Sequence, residues 1–456
     1  MRTASHSVES ITPALPAGPR GLPYFGQYFD VIRDPLALFT DGRDRFGDVV
    51  PFHFGPYTFV VLSDPAAVQH VFVRNHANYK KSRSYDGLRL VMGNGLVTSE
   101  GSFWKRQRKL SQPAFHRKRL AQLADKMVRC TDDLVLQWQG AHGNRIDLHD
   151  AMMRLTLRIV GHTLFSTEMS SEAGALGPAI SVALHRANAE AEAVVRLPLW
   201  VPTPSNVRFN RARKTLDKAI HRIIAERRAD PTDRGDLLSM LMSVQDEETK
   251  EQMTDQQLRD EVLTVFLAGH ETIATHMSWM WKVLTEHPQW AARVREEART
   301  VLGDRSPTFA DLPKLELTGR VIDETMRLYP PVWITERQAI ERDEVCGHAI
   351  EPGTIVAACQ WTMHRHPALW DDPLRFDPDR FLPEAVKARH RYAYLPFGAG
   401  PRICIGNNFA LMEAKIILVT LLRHFDIEVE QPQARRMDPS ITLRPDGGMP
   451  GVVRPL

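Results

Sequence analysis

The sequence predicts a mainly α, α+β fold, with one large helical region built around a long central helix and a smaller β-rich region fed by both ends of the chain. Three observations predict it. Helical periodicity dominates residues 64–330 with only brief breaks. Short β-branched runs bounded by turn residues fall within 34–62 and again within 331–456. One helical segment, Thr254 to His287, carries both a start and a stop signal.

Residues 1–25 include PALPAGPRGLPYFG, a Pro- and Gly-rich stretch that reads as an extended lead-in rather than a helix. Asp34-Pro35 supplies an N-cap followed by proline at the first helical position, opening a helix to about Phe46. VVPFHF and YTFVVL flank Gly55-Pro56 and read as a hairpin. Helices then follow, broken by the Pro-rich connection around 194–206. In the central helix, Thr254 and Gln257 have capping-box spacing, and His287-Pro288 ends it because a residue before proline disfavours the α conformation. At 1.5 Å per residue it is on the order of 50 Å long and crosses the molecule. After Pro330 come the runs VWITER and TIVAAC, the turn-rich DDPLRFDPDRF, a last helix after Cys404, and further short strands. Strands at both ends imply a shared sheet, and therefore one interleaved unit over 1–456.

The 456 residues are 43% hydrophobic and 25% charged, the texture of a globular protein rather than a disordered one. A net charge of +3 argues against nucleic acid as the partner. Cys130, Cys346, Cys359 and Cys404 contain no CxxC pair, which leaves neither a disulfide framework nor a zinc motif. The first twenty residues lack the apolar core of a signal peptide, and no run reaches the ~18 apolar residues of a membrane span. The apolar LMEAKIILVTLL, for one, is interrupted by Glu413 and Lys415. The expectation is a cytoplasmic protein without a membrane anchor.

HETIATH invites a zinc-protease reading, but His270 and His276 are six residues apart, on different helix faces, and cannot chelate one ion. No GxSxG or GxxxxGK[ST] occurs, so a hydrolase elbow and a phosphate loop lack support. FGAGPRICIG, Phe397 to Gly406, is different. Its cysteine, Cys404, stands just before a helix, where backbone N–H groups and peptide dipoles favour a thiolate. Gly398, Gly400 and Gly406 lack side chains that would keep a flat cofactor away, and Arg402 is placed to neutralise an acidic group on it.

FGAGPRICIG matches at every fixed position the haem-binding signature FGxGxRxCxG, so the chain resembles the cytochrome P450 family. The resemblance implies the P450 fold, with haem b between the helical and β-rich parts and Cys404 as axial ligand of its iron. Further motifs follow in the family's order. ETMR gives Glu324 and Arg327 at i, i+3, and PDRF gives Arg380; alone these fit a surface ion pair, but they resemble the family's Glu-Arg-Arg network beneath the haem. AGHET resembles AGx[DE]T, which implies that Ala268 and Gly269 leave room for dioxygen and substrate. Glu271 and Thr272 become the acid–alcohol pair that orders water and relays protons. WKRQR resembles WxxxR, so Trp104 and Arg108 are expected at a haem propionate, joined by Arg337 and Arg402.

What the resemblance implies is a haem-thiolate monooxygenase that hydroxylates or epoxidises an apolar substrate, a fatty acid, terpenoid or steroid, with O2. Residues 83–97 and 194–206 are expected to shape its pocket, lined by Leu88, Val91, Phe266, Ala268, Val332 and Ile334. Electrons would come from a ferredoxin or flavodoxin and its NAD(P)H-dependent reductase. Lys105, Arg106, Arg108, Lys109, Arg117, Lys118 and Arg119, with no acid among them, suit an acidic redox partner. Two alternatives stay open: a peroxygenase or isomerase on the same fold, and a non-catalytic haem sensor. The Glu271-Thr272 pair argues against both.

Overall fold

The computed structural model describes residues 14–140, 144–166, 173–193, 196–230, 232–245 and 252–456. Residues 1–13 of the lead-in and residues 194–195 of the Pro-rich connection lie outside these.

The chain opens with α1 (Tyr28–Arg33) and α2 (Pro35–Phe46). The Asp34 side chain caps α2 by accepting from the Ala37 N–H, with Pro35 at its first position, as the sequence predicts. β1 (Val49–Phe54) and β2 (Tyr57–Leu62) form the hairpin. Then come α3 (Pro65–Gln69), β3 (Tyr79–Lys80), α4 (Tyr85–Met92), α5 (Gly101–Ser111), α6 (Arg117–Gln139) and β4 (Asn144–Asp147). The helical body continues with α7 (Leu148–Leu164), α8 (Ala173–Glu192), α9 (Pro204–Ala229), α10 (Leu237–Ser243) and α11 (Asp255–Glu286). After α12 (Pro288–Leu302) and α13 (Glu316–Leu328), the strands β5 (Thr335–Ala339), β6 (Asp343–Val345), β7 (His348–Ile350) and β8 (Ile355–Ala358) follow. The last third holds α14 (Gln360–Met363), α15 (Pro383–Ala388), α16 (Asn407–His424), β9 (Phe425–Val429), β10 (Met437–Pro439), β11 (Leu443–Pro445) and β12 (Pro450–Pro455).

The central helix is bounded as the sequence requires. Thr254 Oγ1 accepts from the Gln257 N–H while the Gln257 side chain accepts from the Thr254 N–H, and His287 ends the helix. Its 32 residues are buried on nearly every side, with Trp279 and Trp281 among the largest fully enclosed side chains. α7 and α16 pack along it.

Both chain ends share a five-stranded sheet of order β1-β2-β8-β5-β3. β2 runs parallel to β8, pairing Phe59 with Ile355 through Leu62 with Ala358, and the other pairs are antiparallel. A second sheet places β12 between β4 and β9. The reading of 64–330 as helical missed β3 and β4. Both are too short for period-two alternation, and each forms only because a distant strand supplies its partner. Among the described residues no helix is long and apolar enough to cross a membrane.

Candidate active site

The segment Phe397–Gly406 folds back on itself before α16, with the Cys404 N–H donating to the Phe397 carbonyl at 3.0 Å. Gly400 has φ +69°, and a Cβ there would collide with the Phe72 carbonyl oxygen, so a backbone of this shape in this place admits only glycine. That corrects one expectation: Gly400 is needed against Phe72, and it is Ala399, not Gly400, that lines the cavity. Burial raises the Cys404 thiol pKa, while the Gly406 N–H and the Arg108 charge draw it back. The sulfur is nonetheless accessible, because it faces an internal cavity of about 600 Å³.

Opposite the cysteine loop, α11 contributes Ala268, Gly269, Glu271 and Thr272 to the cavity wall. Ala268 is the one of these exposed to the space. Gly269 has a second reason to be glycine: a Cβ there would press on Val160 Cγ2 of α7 at 3.3 Å, so its absence also allows the close helix contact. Thr272 Oγ1 donates to the Ala268 carbonyl at 2.6 Å. Glu271 is buried and its Oε1 accepts from Thr442 Oγ1 at 2.6 Å. Burial raises its pKa, and the Thr442 hydroxyl and the Arg444 charge pull against that rise.

Cations collect along one side of the cavity. Arg108 donates to the Ile403 carbonyl at 2.8 Å, beside Cys404. Arg337 lies over the Phe72 ring at 5.0 Å and donates to the Glu336 carbonyl at 2.7 Å. Arg402 stacks on Trp104 at 4.2 Å, donates to the Ser99 carbonyl at 3.0 Å, and pairs with Glu100. Lys81, which no sequence motif marks, completes the group. Its pKa falls well below the usual value, through burial first and then through Arg337 and Arg402. Positive charge thus crowds a buried wall with Glu100 as the acid among its electrostatic partners. That wall suits two carboxylates of a bound group.

The remaining cavity wall is largely apolar. Leu88, Val332 and Ile334 line it as expected from their positions. Val91 and Phe266 do not. Both are sealed in the core, Phe266 against Phe165 and His270 because the cavity sees the opposite face of α11, and Val91 because it sits on the flank of the α4 stripe of Tyr85, Leu88 and Met92 that borders the cavity. Phe397, Gly398 and Gly406 border the cysteine side.

Glu324, Arg327 and Arg380 lie away from the cavity and anchor the segment that leads to it. Arg327 Nε and Nη2 both donate to Glu324 at 2.7 Å, and neither side chain has any exposure. Arg327 also donates to the carbonyls of His364, Pro373 and Arg375, while Glu324 accepts from the Asp377 N–H at 2.9 Å. Arg380 Nε stands 3.5 Å from Glu324. Of the basic run, Lys105, Lys109, Arg117 and Lys118 are exposed, whereas Arg108 turns inward and Arg119 faces Asp233 at 3.8 Å.

A thiol at a helix N-terminus, an apolar slot across from a helix, and cations on one rim fit a flat apolar macrocycle that carries acidic substituents. Known proteins point the same way. The family model described as Cytochrome P450 matches residues 16–450. Cyclooctatin synthase of Streptomyces melanosporofaciens is 37% identical over 405 residues, covering 88% of each chain. Pentalenene oxygenase of Streptomyces avermitilis is 35% identical over 416 residues, covering 90% of this chain and 91% of that one. The crystal structure of the cytochrome P450DA heme domain superposes with a TM-score of 0.89 at 26% identity, covering 98% of both chains.

Proposed function

We propose, because the chain belongs to the cytochrome P450 family of haem b monooxygenases, that it inserts one oxygen atom from O2 into a terpenoid. The observation that carries this reading is the apolar cavity of about 600 Å³ bounded by Cys404 on one side and by Ala268 and Thr272 on the other. That space has to seat the haem as well as the substrate, and its largely apolar wall suits a hydrocarbon beside the cofactor. The relatives named for cyclooctatin and pentalenene support a terpenoid rather than a fatty acid or a steroid.

Bound through Cys404, the haem supplies dioxygen activation and the oxidising power for the insertion. The protein does the rest. The Gly406 N–H and Arg108 favour the thiolate form of Cys404. Arg108, Arg337, Arg402 and Lys81 would hold the acidic substituents of the cofactor. Leu88, Val332 and Ile334 exclude water and press the substrate toward Ala268. Thr272 Oγ1, one turn beyond Ala268, gives its own proton to the Ala268 carbonyl and so turns its lone pairs to the cavity to order a water, and Glu271 beside it supplies the proton. Electrons arrive from a ferredoxin or flavodoxin that docks in the cytoplasm on the face presenting Lys105, Lys109, Arg117 and Lys118.

The test is the reduced carbon monoxide difference spectrum, followed by titration with terpene hydrocarbons, palmitate and testosterone. A strongly red-shifted Soret band, a spin-state shift with the terpenes, and a product heavier by one oxygen are expected. A band typical of neutral-thiol or histidine ligation overturns the thiolate assignment. A shift with palmitate or testosterone alone overturns the substrate class.

A further inference from the structure

The acid of the proton-handling pair is oriented from outside its own helix. Thr442 lies in the turn between β10 and β11, far along the chain from α11, and its hydroxyl donates to Glu271 Oε1 at 2.6 Å. Glu271 is 5% exposed and Thr442 3%, so water competes little for that bond. Glu271 Oε2 has no hydrogen-bond partner among the described residues, and the residue lines the cavity.

The turn is itself braced. Arg444 Nη2 donates to Asp438 Oδ2 at 2.6 Å and to Ser440 Oγ at 3.1 Å, which staples the turn's two strands together. The same nitrogen reaches His185 Nε2 on α8 at 3.4 Å, and since His185 Nδ1 donates to the Ser181 carbonyl, Nε2 is free to accept. Arg444, His185 and Asp438 are also the charged or titratable groups that act on Glu271. Pro439, Ser440, Ile441 and Thr442 all border the cavity. One short turn therefore touches both the acid and whatever occupies the cavity.

We propose that Thr442 is the positioning residue for Glu271: its hydroxyl fixes one carboxylate oxygen and thereby aims the other into the cavity beside Thr272. A glutamate on a helix has three side-chain torsions to settle, and a single short hydrogen bond to a braced turn removes most of that freedom. The inference rests on the reading of Glu271 and Thr272 as the proton-handling pair. Under it, a substrate that packs against Ile441 also sets the aim of the acid.

The experiment uses the haem-loaded enzyme with its reductase system and the terpene giving the largest spin-state shift. Thr442→Val, Thr442→Ser, Glu271→Gln and the double variant Thr442→Val/Glu271→Gln are compared for product formed per reducing equivalent, peroxide released, and the pH profile of that ratio. Thr442→Val is expected to lower coupling roughly tenfold, the scale of losing one hydrogen bond to a charged group. Thr442→Ser restores most of it, and Thr442→Val has no further effect once Glu271 is glutamine. Because the hydroxyl favours the ionised acid, the pH profile of Thr442→Val moves upward. If Glu271→Gln uncouples the enzyme while Thr442→Val does not, or if serine behaves as valine does, the positioning role is overturned and the function stands. If Glu271→Gln leaves coupling intact, the reading of the acid itself falls.

Discussion

Glu413 lies on α16, nine residues beyond Cys404, with no exposure and with neither carboxylate oxygen hydrogen-bonded among the described residues. Burial alone raises its pKa well above the ordinary value. The folded protein therefore keeps the carboxyl protonated at a pH where the unfolded chain releases the proton. A group whose pKa is raised by folding stabilises fully below its unfolded pKa, near 4.5, and that contribution is lost as pH climbs toward the folded value. Each pH unit in that window removes about 1.4 kcal/mol, so two units remove about 2.7 kcal/mol. Glu413→Gln keeps the shape and abolishes the titration. The variant should match the parent near pH 4.5 and overtake it by that slope as pH rises. Denaturant unfolding of both proteins at closely spaced pH values, with the difference plotted against pH, measures it. A difference that stays flat across this window would show that Glu413 is ionised in the fold or has a partner, and the reasoning would fail.

Arg327→Ala strands a fully buried carboxylate and leaves three carbonyls without their donor, so a loss of about 3–5 kcal/mol in unfolding free energy is expected. Arg380→Ala should cost distinctly less, because its 3.5 Å approach leaves the Glu324–Arg327 pair whole, and equal losses would contradict this ranking. Gly400→Ala forces a Cβ onto the Phe72 carbonyl and should abolish the red-shifted carbon monoxide band while far-ultraviolet circular dichroism keeps its helical amplitude. His276 is buried in the cavity wall, with neither ring nitrogen hydrogen-bonded among the described residues and its pKa lowered to about 3 by burial. His276→Leu should therefore raise the unfolding free energy by about 1–2 kcal/mol, and a loss of that size would mean that the imidazole has a partner in solution.

The elements that read correctly from sequence are those whose signals are local. The cap at Asp34 and the capping box at Thr254 each depend on residues within three positions of one another, and the hairpin around Gly55-Pro56 lies within one continuous stretch, Val49 to Leu62. The cysteine loop was legible for the same reason, since its ten residues fold back on themselves. What failed needed knowledge of facing. α11 is apolar on nearly all sides, so periodicity could not tell that Phe266 points to the core while Ala268 points to the cavity. Val91 on α4 was misplaced for a related cause, because a helix eight residues long samples each face only once or twice. Thr442 and Lys81 carry no pattern of their own. Their roles exist only through contacts with Glu271 and with Arg337 and Arg402, which the chain brings near after long excursions.

The parallel pairing of β2 with β8 sets a clock for biosynthesis. On the ribosome, the apolar strand Tyr57–Leu62 emerges early, yet its partner Ile355–Ala358 follows only after roughly 300 more residues, on the order of 15–60 s later. During that interval the nascent hairpin presents an open, adhesive edge to the cell. The loop that bears Cys404 emerges later again, so the helical body is already synthesised before the prosthetic group has a complete seat. Haem capture is thereby one of the last events in the making of this protein, and chaperones that shield the waiting edge would govern how much of it matures.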